Sequence, residues 1–393
     1  MKRRSFLKNT SLGMVGGVLL PSGAFAKFPD LGKESSSVVY RTLGNTGLKV
    51  SVVSYGVMDA KNPSLINRAL ELGINHYDTA HGYQRGNNEK MLGEVFQSWG
   101  KRKDVVIATK VALPRDSKTK TYNSGATKEA FLEKLDQSLK RLKTDYVDIL
   151  YSHSVYNESM VNYEEVLEAL AAAKKQGKAR FVGLSTHSNE HKVIRSVIKN
   201  GHYDVVLTSY NFLKSNRKEL KEAIKEADQA GIGIVVMKPM ATNHDDYSGK
   251  RDKKYFESAL KWVLSDPHVA CAIPGMTAFN HLEQNFSVMK NMKVESRDIH
   301  QLAKERSNSW GHYCSFCQQC LPTCPQRVDI PEIMRSLMYH NGYGNPSLAS
   351  ETYAAIDGEQ KLGACENCLT CAASCPNGND IPKALQTARK IFA

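Results

Sequence analysis

Asn75-His76-Tyr77-Asp78-Thr79-Ala80-His81-Gly82-Tyr83 opens as a strand and closes on side chains that carry protons. Just before it, Gly73 stands where a helical pattern ends, and glycine closes a helix at little steric cost. The same unit recurs along the chain. Strand-length apolar runs begin near Val50, Ile74, Val105, Val147, Ala179, Val205, Ile232 and Ala270. Between them, Lys128 to Leu142, Tyr163 to Gln176 and Lys218 to Ala230 have the spacing of amphipathic helices, with Gly177 and Gly231 at two of the ends. Eight strand–helix units in roughly 240 residues predict an α/β chain of the (β/α)8 TIM-barrel class rather than a doubly wound sheet. No Gly-x-Gly-x-x-Gly follows a strand, which argues against a Rossmann unit. In such a barrel the chemistry lies at the C-terminal strand ends.

Beyond the barrel pattern, eight of the nine cysteines fall into two runs. One is Cys314-x2-Cys317-x2-Cys320-x3-Cys324-Pro325, the other Cys365-x2-Cys368-x2-Cys371-x3-Cys375-Pro376. This spacing resembles that of two-cluster bacterial ferredoxins, in which three thiolates of a run hold one cube and the fourth reaches the other. The expected sets are Cys314, Cys317, Cys320 and Cys375 for one 4Fe–4S cluster, and Cys365, Cys368, Cys371 and Cys324 for the second. Each fourth cysteine is expected to start a helix. Disulfides and zinc are the competing readings. Cysteines three apart in a tight turn make poor disulfide partners, and zinc favours separated pairs over triplets with a trailing Cys-Pro. Asp329-Ile330-Pro331 and Asp380-Ile381-Pro382 read as helix starts, which resembles a small α-helical ferredoxin. Cys271, alone on an apolar strand, reads as core.

The chain begins Lys2-Arg3-Arg4-Ser5-Phe6-Leu7-Lys8, continues with an apolar stretch from Leu12 to Leu20, and reaches Ala24-Phe25-Ala26. Charged start, short apolar middle and Ala-x-Ala describe an export signal, with cleavage expected after Ala26. The paired arginines resemble a twin-arginine signal, which implies the export machinery as a partner, a bacterial source and a periplasmic address. The expected organisation is a signal peptide at 1–26, a linker at 27–37, the barrel at 38–309 and an iron–sulfur domain at 310–393. The formal net charge is +13. The basic residues are spread along helical segments with no aromatic-interleaved stripe, so no nucleic-acid partner is expected.

Strand three ends Ala108-Thr109-Lys110 and strand four ends Leu150-Tyr151-Ser152-His153. With the Asp-Thr-Ala-x-x-Tyr run and the opening Tyr40-Arg41-Thr42-Leu43-Gly44-Asn45-Thr46-Gly47-Leu48, these elements resemble the aldo-keto reductase family over about residues 38 to 295. The resemblance implies carbonyl or alcohol oxidoreduction with a nicotinamide hydride carrier, NADP or NAD. Tyr83 would give the proton, Lys110 would lower its pKa, Asp78 would hold Lys110, and His153 would bond the substrate oxygen. The cofactor-side positions are Gly56, Ser185, Thr186, Met237, Lys238, Pro274, Gly275, Met276 and Asn285.

Several of those depart from the family. Thr186 replaces an Asn after the retained Ser185, and Leu207 falls where a Gln is usual. Met237 stands for the stacking aromatic. Pro274-Gly275-Met276-Thr277 replaces Pro-Lys-Ser, His281 replaces an Arg, and Gln284 and Asn285 match in part. Lys250, Arg251, Lys253 and Lys254 could supply phosphate contacts or form a solvated surface run. Loops Ala112 to Ala126 and Met240 to Lys253, with Tyr122, Asp245, Asp246 and Tyr247, would suit a small polar carbonyl or alcohol such as a sugar derivative. A redox partner protein is expected for the clusters. The competing expectation is a periplasmic electron-transfer or partner-binding protein whose barrel has no nicotinamide-dependent turnover.

Overall fold

The computed structural model describes residues 38–116, 119–241, 253–309 and 311–392, without the side chains of Lys253 and Asn367. The signal peptide and linker, Asp245, Asp246, Tyr247, Lys250 and Arg251 lie outside the described residues, as does the Lys253 side chain.

Eight parallel strands form the barrel: β1 Tyr55–Gly56, β2 His76–Asp78, β3 Val106–Val111, β4 Val147–Ser152, β5 Ala179–Thr186, β6 Val205–Ser209, β7 Gly233–Met237 and β8 Cys271–Ala272. Parallel bridges Val53 to Ala272 and Gly56 to Gly275 join the first and last strands. Helices follow the strands, and three of them, Lys128–Leu142, Glu164–Lys175 and Arg217–Gln229, match the expected amphipathic stretches. Lys128–Leu142 shows the local logic. Thr127 caps it by accepting from the Ala130 N–H, Phe131, Leu135, Leu139 and Leu142 face inward, and Lys143 ends it in the left-handed region. Its neighbour Asn87–Trp99 lies so close that a Cβ on Gly93 would strike the Arg141 carbonyl. In β5, Gly183 leaves no room for a side chain between the Val205 carbonyl and the Tyr151 ring.

The first strand differs from expectation. Val50 lies in an antiparallel hairpin, Tyr40–Thr42 with Lys49–Ser51, and the barrel strand starts at Tyr55. The hairpin is apolar for another purpose: Leu43, Leu48 and Val50 pack beneath the barrel against Val106, Ile149, Val205 and Val235. That plug seals the N-terminal end and leaves the opposite mouth for chemistry.

Residues 311–392 pack with the barrel as one compact unit. Their own core is small, built on Val328, Ile330, Ile333, Leu337, Leu362, Ile381 and Leu385. Asp329 caps helix Ile330–Leu337, and Asp380 accepts from the Lys383 N–H at 3.0 Å to start Ile381–Phe392. Cys324 itself starts no helix. It ends a short 3-10 turn, Leu321–Thr323, and the helix begins only at Ile330. Among the described residues, no helix is long and apolar enough to cross a membrane.

Candidate active site and cysteine sites

Strand alternation builds the mouth of the barrel. In β3, Val106 and Ala108 face the interior core, so Lys110 follows on the same face. In β4, Ile149 and Tyr151 face inward, and His153 continues that row. Lys110 pairs in register with Tyr151, and Asp78 with Ala108. The intervening Thr109 points outward and donates to Glu89 at 2.7 Å. The register thus sets Asp78, Lys110 and His153 in successive steps along the interior faces of three neighbouring strands.

Lys110 is buried and donates through Nζ to Asp78, to the Thr79 carbonyl at 2.6 Å and to the Tyr83 hydroxyl at 3.4 Å. The Tyr83 and His153 rings meet edge to face at 5.9 Å. Burial pushes Asp78 up and Lys110 down, and each pulls the other back. Tyr83 departs from expectation. Burial, followed by the Asp78 and Asp59 charges, holds its hydroxyl well above the ordinary value. Lys110 is therefore not enough to make it a phenolate here, because Asp78 already engages that cation. Tyr83 is a neutral acid, poised to donate. His153 is held well below its ordinary value by burial, then by Lys110, Arg115 and Arg335. It is a neutral imidazole, which can donate one hydrogen bond to an oxygen while remaining uncharged.

Asp78, Tyr83 and His153 line a cavity of about 970 Å³, with Lys110 buried behind them. Gly56, Met237, Lys238, Pro274, Gly275 and Asn285 also line it, as do His281 and Gln284. Three expected cofactor residues do not. Ser185 is buried and accepts from the Ser154 N–H at 2.9 Å, and Thr186 donates to the Ser188 carbonyl at 3.0 Å, so both serve the backbone after β4 and β5. Met276 is buried behind the wall. His187, one residue further on, reaches the cavity instead. Its Nδ1 has no hydrogen-bond partner, and burial with the nearby Lys238 and Arg335 holds it well below its ordinary value. From the pocket-shaping loops, Ala112, Leu113, Arg115, Asp116 and Lys120 line the cavity, whereas Tyr122 turns aside to bond Ser152 at 2.7 Å.

Sequence reasoning missed the roof. Asp329, Glu332, Arg335, Tyr339 and Tyr343, all from the C-terminal segment, line the same cavity. The segment is fastened to the barrel mouth by Lys120 with Asp329, Arg85 with Glu351 at 2.9 Å, Asn345 donating to Asp59 at 2.6 Å, and Lys214 donating to the Ser315 carbonyl at 3.0 Å. The alternation of strands carried no sign of this, because it depends on contacts between residues 101 to 286 positions apart in the chain.

The cysteines assemble across the two runs. All nine are free thiols. Cys314 and Cys320 are pushed up to about 12 by burial, and by the nearby Cys317 and Cys375. Cys375 thus joins the first triplet. The Asn379 amide donates to Cys375 Sγ at 3.4 Å and to the Tyr313 carbonyl at 3.1 Å, tying the second run to the first. A separate cavity of about 210 Å³ is lined by Cys324, Cys365, Cys368 and Cys371, with Arg389 beside them. Among the described residues no set of three or more His, Cys, Asp or Glu side chains could hold a single metal ion. A four-iron cube spreads its thiolates over four corners, farther apart than the ligands of one ion. The donor sets and the cavity fit such a cube. Cys271 is buried in the interior core and its thiol is pushed up to about 12 by burial, as a packing residue should be.

A parallel barrel whose sealed end faces away from a buried Asp–Lys–Tyr line and a neutral histidine defines a carbonyl-processing oxidoreductase. The chain belongs to the aldo/keto reductase family, whose model matches residues 56–258. It is similar to the L-glyceraldehyde 3-phosphate reductase of Escherichia coli (strain K12), 26% identical over 67% of this chain and 91% of that one. It is also similar to the L-galactose dehydrogenase of Arabidopsis thaliana, 26% identical over 68% of this chain and 93% of that one. A solved aldo-keto reductase from Bacillus halodurans in its holo form shares the fold with a TM-score of 0.56, at 24% identity over 68% of this chain and 96% of that chain.

Proposed function

We propose that this oxidoreductase reduces a small polar carbonyl, or oxidises the matching alcohol, with a bound nicotinamide cofactor, and that it is exported carrying two four-iron clusters. The observation that carries the reading is the Lys110 amine shared between Asp78 and Tyr83, with the His153 ring set against Tyr83. When bound, the nicotinamide supplies the hydride. Met237, Pro274, Gly275, Gly56 and Asn285 would hold it, since they line the cavity that Tyr83 lines, and around Gly275 the space is open. Tyr83, kept neutral by burial, donates its proton to the carbonyl oxygen. Lys110 orients the hydroxyl and offsets the charge left behind, and Asp78 fixes Lys110. His153 offers the second hydrogen bond to the same oxygen. The relatives' named substrates, a sugar phosphate and a sugar, support a sugar-like substrate for this chain.

For the clusters, the support is the crossing of Cys375 to the first triplet and the cavity that collects Cys324 with the second. Cys314, Cys317, Cys320 and Cys375 would hold one cube, and Cys365, Cys368, Cys371 and Cys324 the other. Export rests on the twin-arginine-like start, with a signal at 1–26, a linker at 27–37, the barrel at 38–309 and the iron–sulfur domain at 310–393. A second reading, electron transfer without nicotinamide turnover, draws on one observation: Ser185 and Thr186 are spent on the backbone and do not face the cavity. Protein purified from the periplasm without air, assayed for turnover and then denatured to release its bound molecules, decides between them. The first reading expects near-stoichiometric NAD or NADP, or nucleotide-dependent aldehyde reduction, with about eight iron atoms per chain. Iron with no nucleotide and no aldehyde turnover would favour the second.

A further inference from the structure

Two cations in the cavity wall each keep a buried nitrogen without a hydrogen-bond partner. Arg335 comes from helix Ile330–Leu337 and is 6% exposed. It pairs with Glu332 through Nη2 at 3.4 Å, its guanidinium lies 5.1 Å from the Phe316 ring centre, and its buried Nε has no hydrogen-bond partner. Lys238 follows β7 with a left-handed backbone, φ 55°. Its buried Nζ is also unpartnered and sits among the rings of Tyr339, Phe316 and Tyr343 at 5.2, 5.9 and 5.8 Å. An unpaired buried cation costs several kcal/mol unless something compensates it. Rings compensate only in part.

The neighbouring carboxylates do not bond these two atoms. Glu332 is already divided between Arg335 and the Tyr156 hydroxyl at 3.5 Å. Asp59 is tied to Asn345, and burial pushes its carboxyl up, toward the neutral form. Burial, then Arg335 and Lys214, depress Lys238 to about 7, and the same cations help keep His187 and His153 neutral. Arg335 Nε and Lys238 Nζ are thus left as unmet donors in the cavity wall, and they come from two separate parts of the chain.

We propose that Arg335 and Lys238 form an anion subsite for the substrate, so that the carbonyl presented to Tyr83 belongs to a molecule carrying a carboxylate or phosphate. Arg335 offers planar, fork-like donors suited to either oxyanion. The C-terminal segment then acts as part of the substrate pocket as well as an iron–sulfur carrier. This rests on the carbonyl-reductase reading for its link to turnover, but the subsite itself is a binding claim that needs no turnover.

The test uses the full iron-loaded protein and two probes of the same shape, D-glucuronate and D-glucuronamide, which differ by one charge. Calorimetric titration in the absence of added nucleotide is expected to show glucuronate binding about tenfold or more tighter than the amide, a preference lost in Arg335→Gln and partly kept in Arg335→Lys. Unchanged iron content and visible absorbance in the variants report an intact fold. If Arg335→Gln does not fold, Lys238→Met is measured in its place, with the same loss of preference expected. Equal binding of the two probes to the unaltered protein, or an unchanged preference in the folded variants, would overturn the subsite. With a hydride donor added, the same charge preference should appear in kcat/KM. Preference in binding with no turnover would keep the subsite and refute the carbonyl-reductase reading. A preference that follows added NADP, and is absent without it, would assign the cations to the cofactor's phosphates and also overturn the proposal.

Discussion

The barrel mouth and the cysteine segment bring distant side chains together by opposite means. Around Tyr83, position is set by backbone: strand register aligns Lys110 with Tyr151 and Asp78 with Ala108, over a core that extends through the whole barrel. Around the cysteines, little regular structure does this work. Short turns, a few Asn-to-sulfur contacts and a small core hold eight thiols, and at Cys314 and Cys320 burial and the nearby thiols disfavour the charged form. The first site is stable before its ligand arrives. On the proposed iron–sulfur reading the second would need its ligand, because a cationic iron core would offset the cost of gathering thiolates.

Removing the iron therefore tests the contrast most severely. Anaerobic oxidation with a strong chelator is expected to unfold 311–392 while the barrel keeps its fold. Limited proteolysis would then cut after about residue 310 and leave a resistant barrel, whereas the loaded protein resists throughout. A stripped chain that is as resistant as the loaded one would show that the small core suffices and would erase the distinction. Because the segment roofs the cavity, stripping should also abolish selection of anionic substrates.

The next effect runs the other way, striking the barrel chemistry and leaving the cysteines untouched. Tyr83→Phe removes only the hydroxyl that Lys110 reaches at 3.4 Å. Turnover of an aldehyde should fall by roughly 10²–10⁴-fold, with iron content and cluster spectra unchanged. A variant that retains full turnover would mean that another acid serves the oxygen, and His153 would be the nearest candidate.

Much of this arrangement was legible in the sequence, and the reasons differ by region. The tetrad was read from the family resemblance carried by the Asp78 to Tyr83 run, Lys110 and His153, and period-two alternation accounts for Lys110 and His153 pointing the same way as their buried neighbours. Triplet spacing led to the expected thiol sets, and the structure places Cys375 near Cys314 and Cys320 and Cys324 in one cavity with Cys365, Cys368 and Cys371. What failed was of two kinds. Val50 belongs to an apolar hairpin plug, which has the same hydrophobic signature as a barrel strand. Ser185 and Thr186 were matched by position, but the chain after β5 turns so that His187 faces the cavity. Arg335 was unreadable, because three residues after Glu332 on a helix it looks like half of a surface ion pair, and only the docking of the segment buries it.

Acid offers a milder test of the same contrast. Burial first, and the nearby Lys110 second, drive His76 down to about 3, and His153 and His187 lie well below the ordinary value. These residues are neutral in the fold and take up protons when the chain unfolds below about pH 6.5. The unfolded state then binds more protons, so their contribution is present above that pH and is lost progressively as pH falls toward 3. All three belong to the barrel. Thermal unfolding of the barrel should show a falling midpoint from pH 7 to pH 4, and His76→Asn should flatten that slope. An equal slope in the variant would assign the acid sensitivity to other groups.

The smallest effect probes the seam between the two regions. Asn345 has two roles there: its amide donates to Asp59 at 2.6 Å, and its side-chain oxygen accepts from the Leu348 N–H at 3.1 Å to cap helix Pro346–Ala354. Asn345→Ala loses both and should cost about 1–2 kcal/mol in chemical denaturation of the loaded protein. Asn345→Asp keeps an acceptor for the cap but sets a second carboxylate against Asp59, which burial already pushes toward the neutral form. If the cap dominates, the Asp variant should be close to the unaltered protein at every pH. If the seam dominates, the Asp variant should lose stability as pH rises through the carboxylate range and regain it in mild acid, where one of the two carboxyls is protonated. The pH dependence separates a helix-end effect from a latch between barrel and roof, which the Ala variant alone would merge.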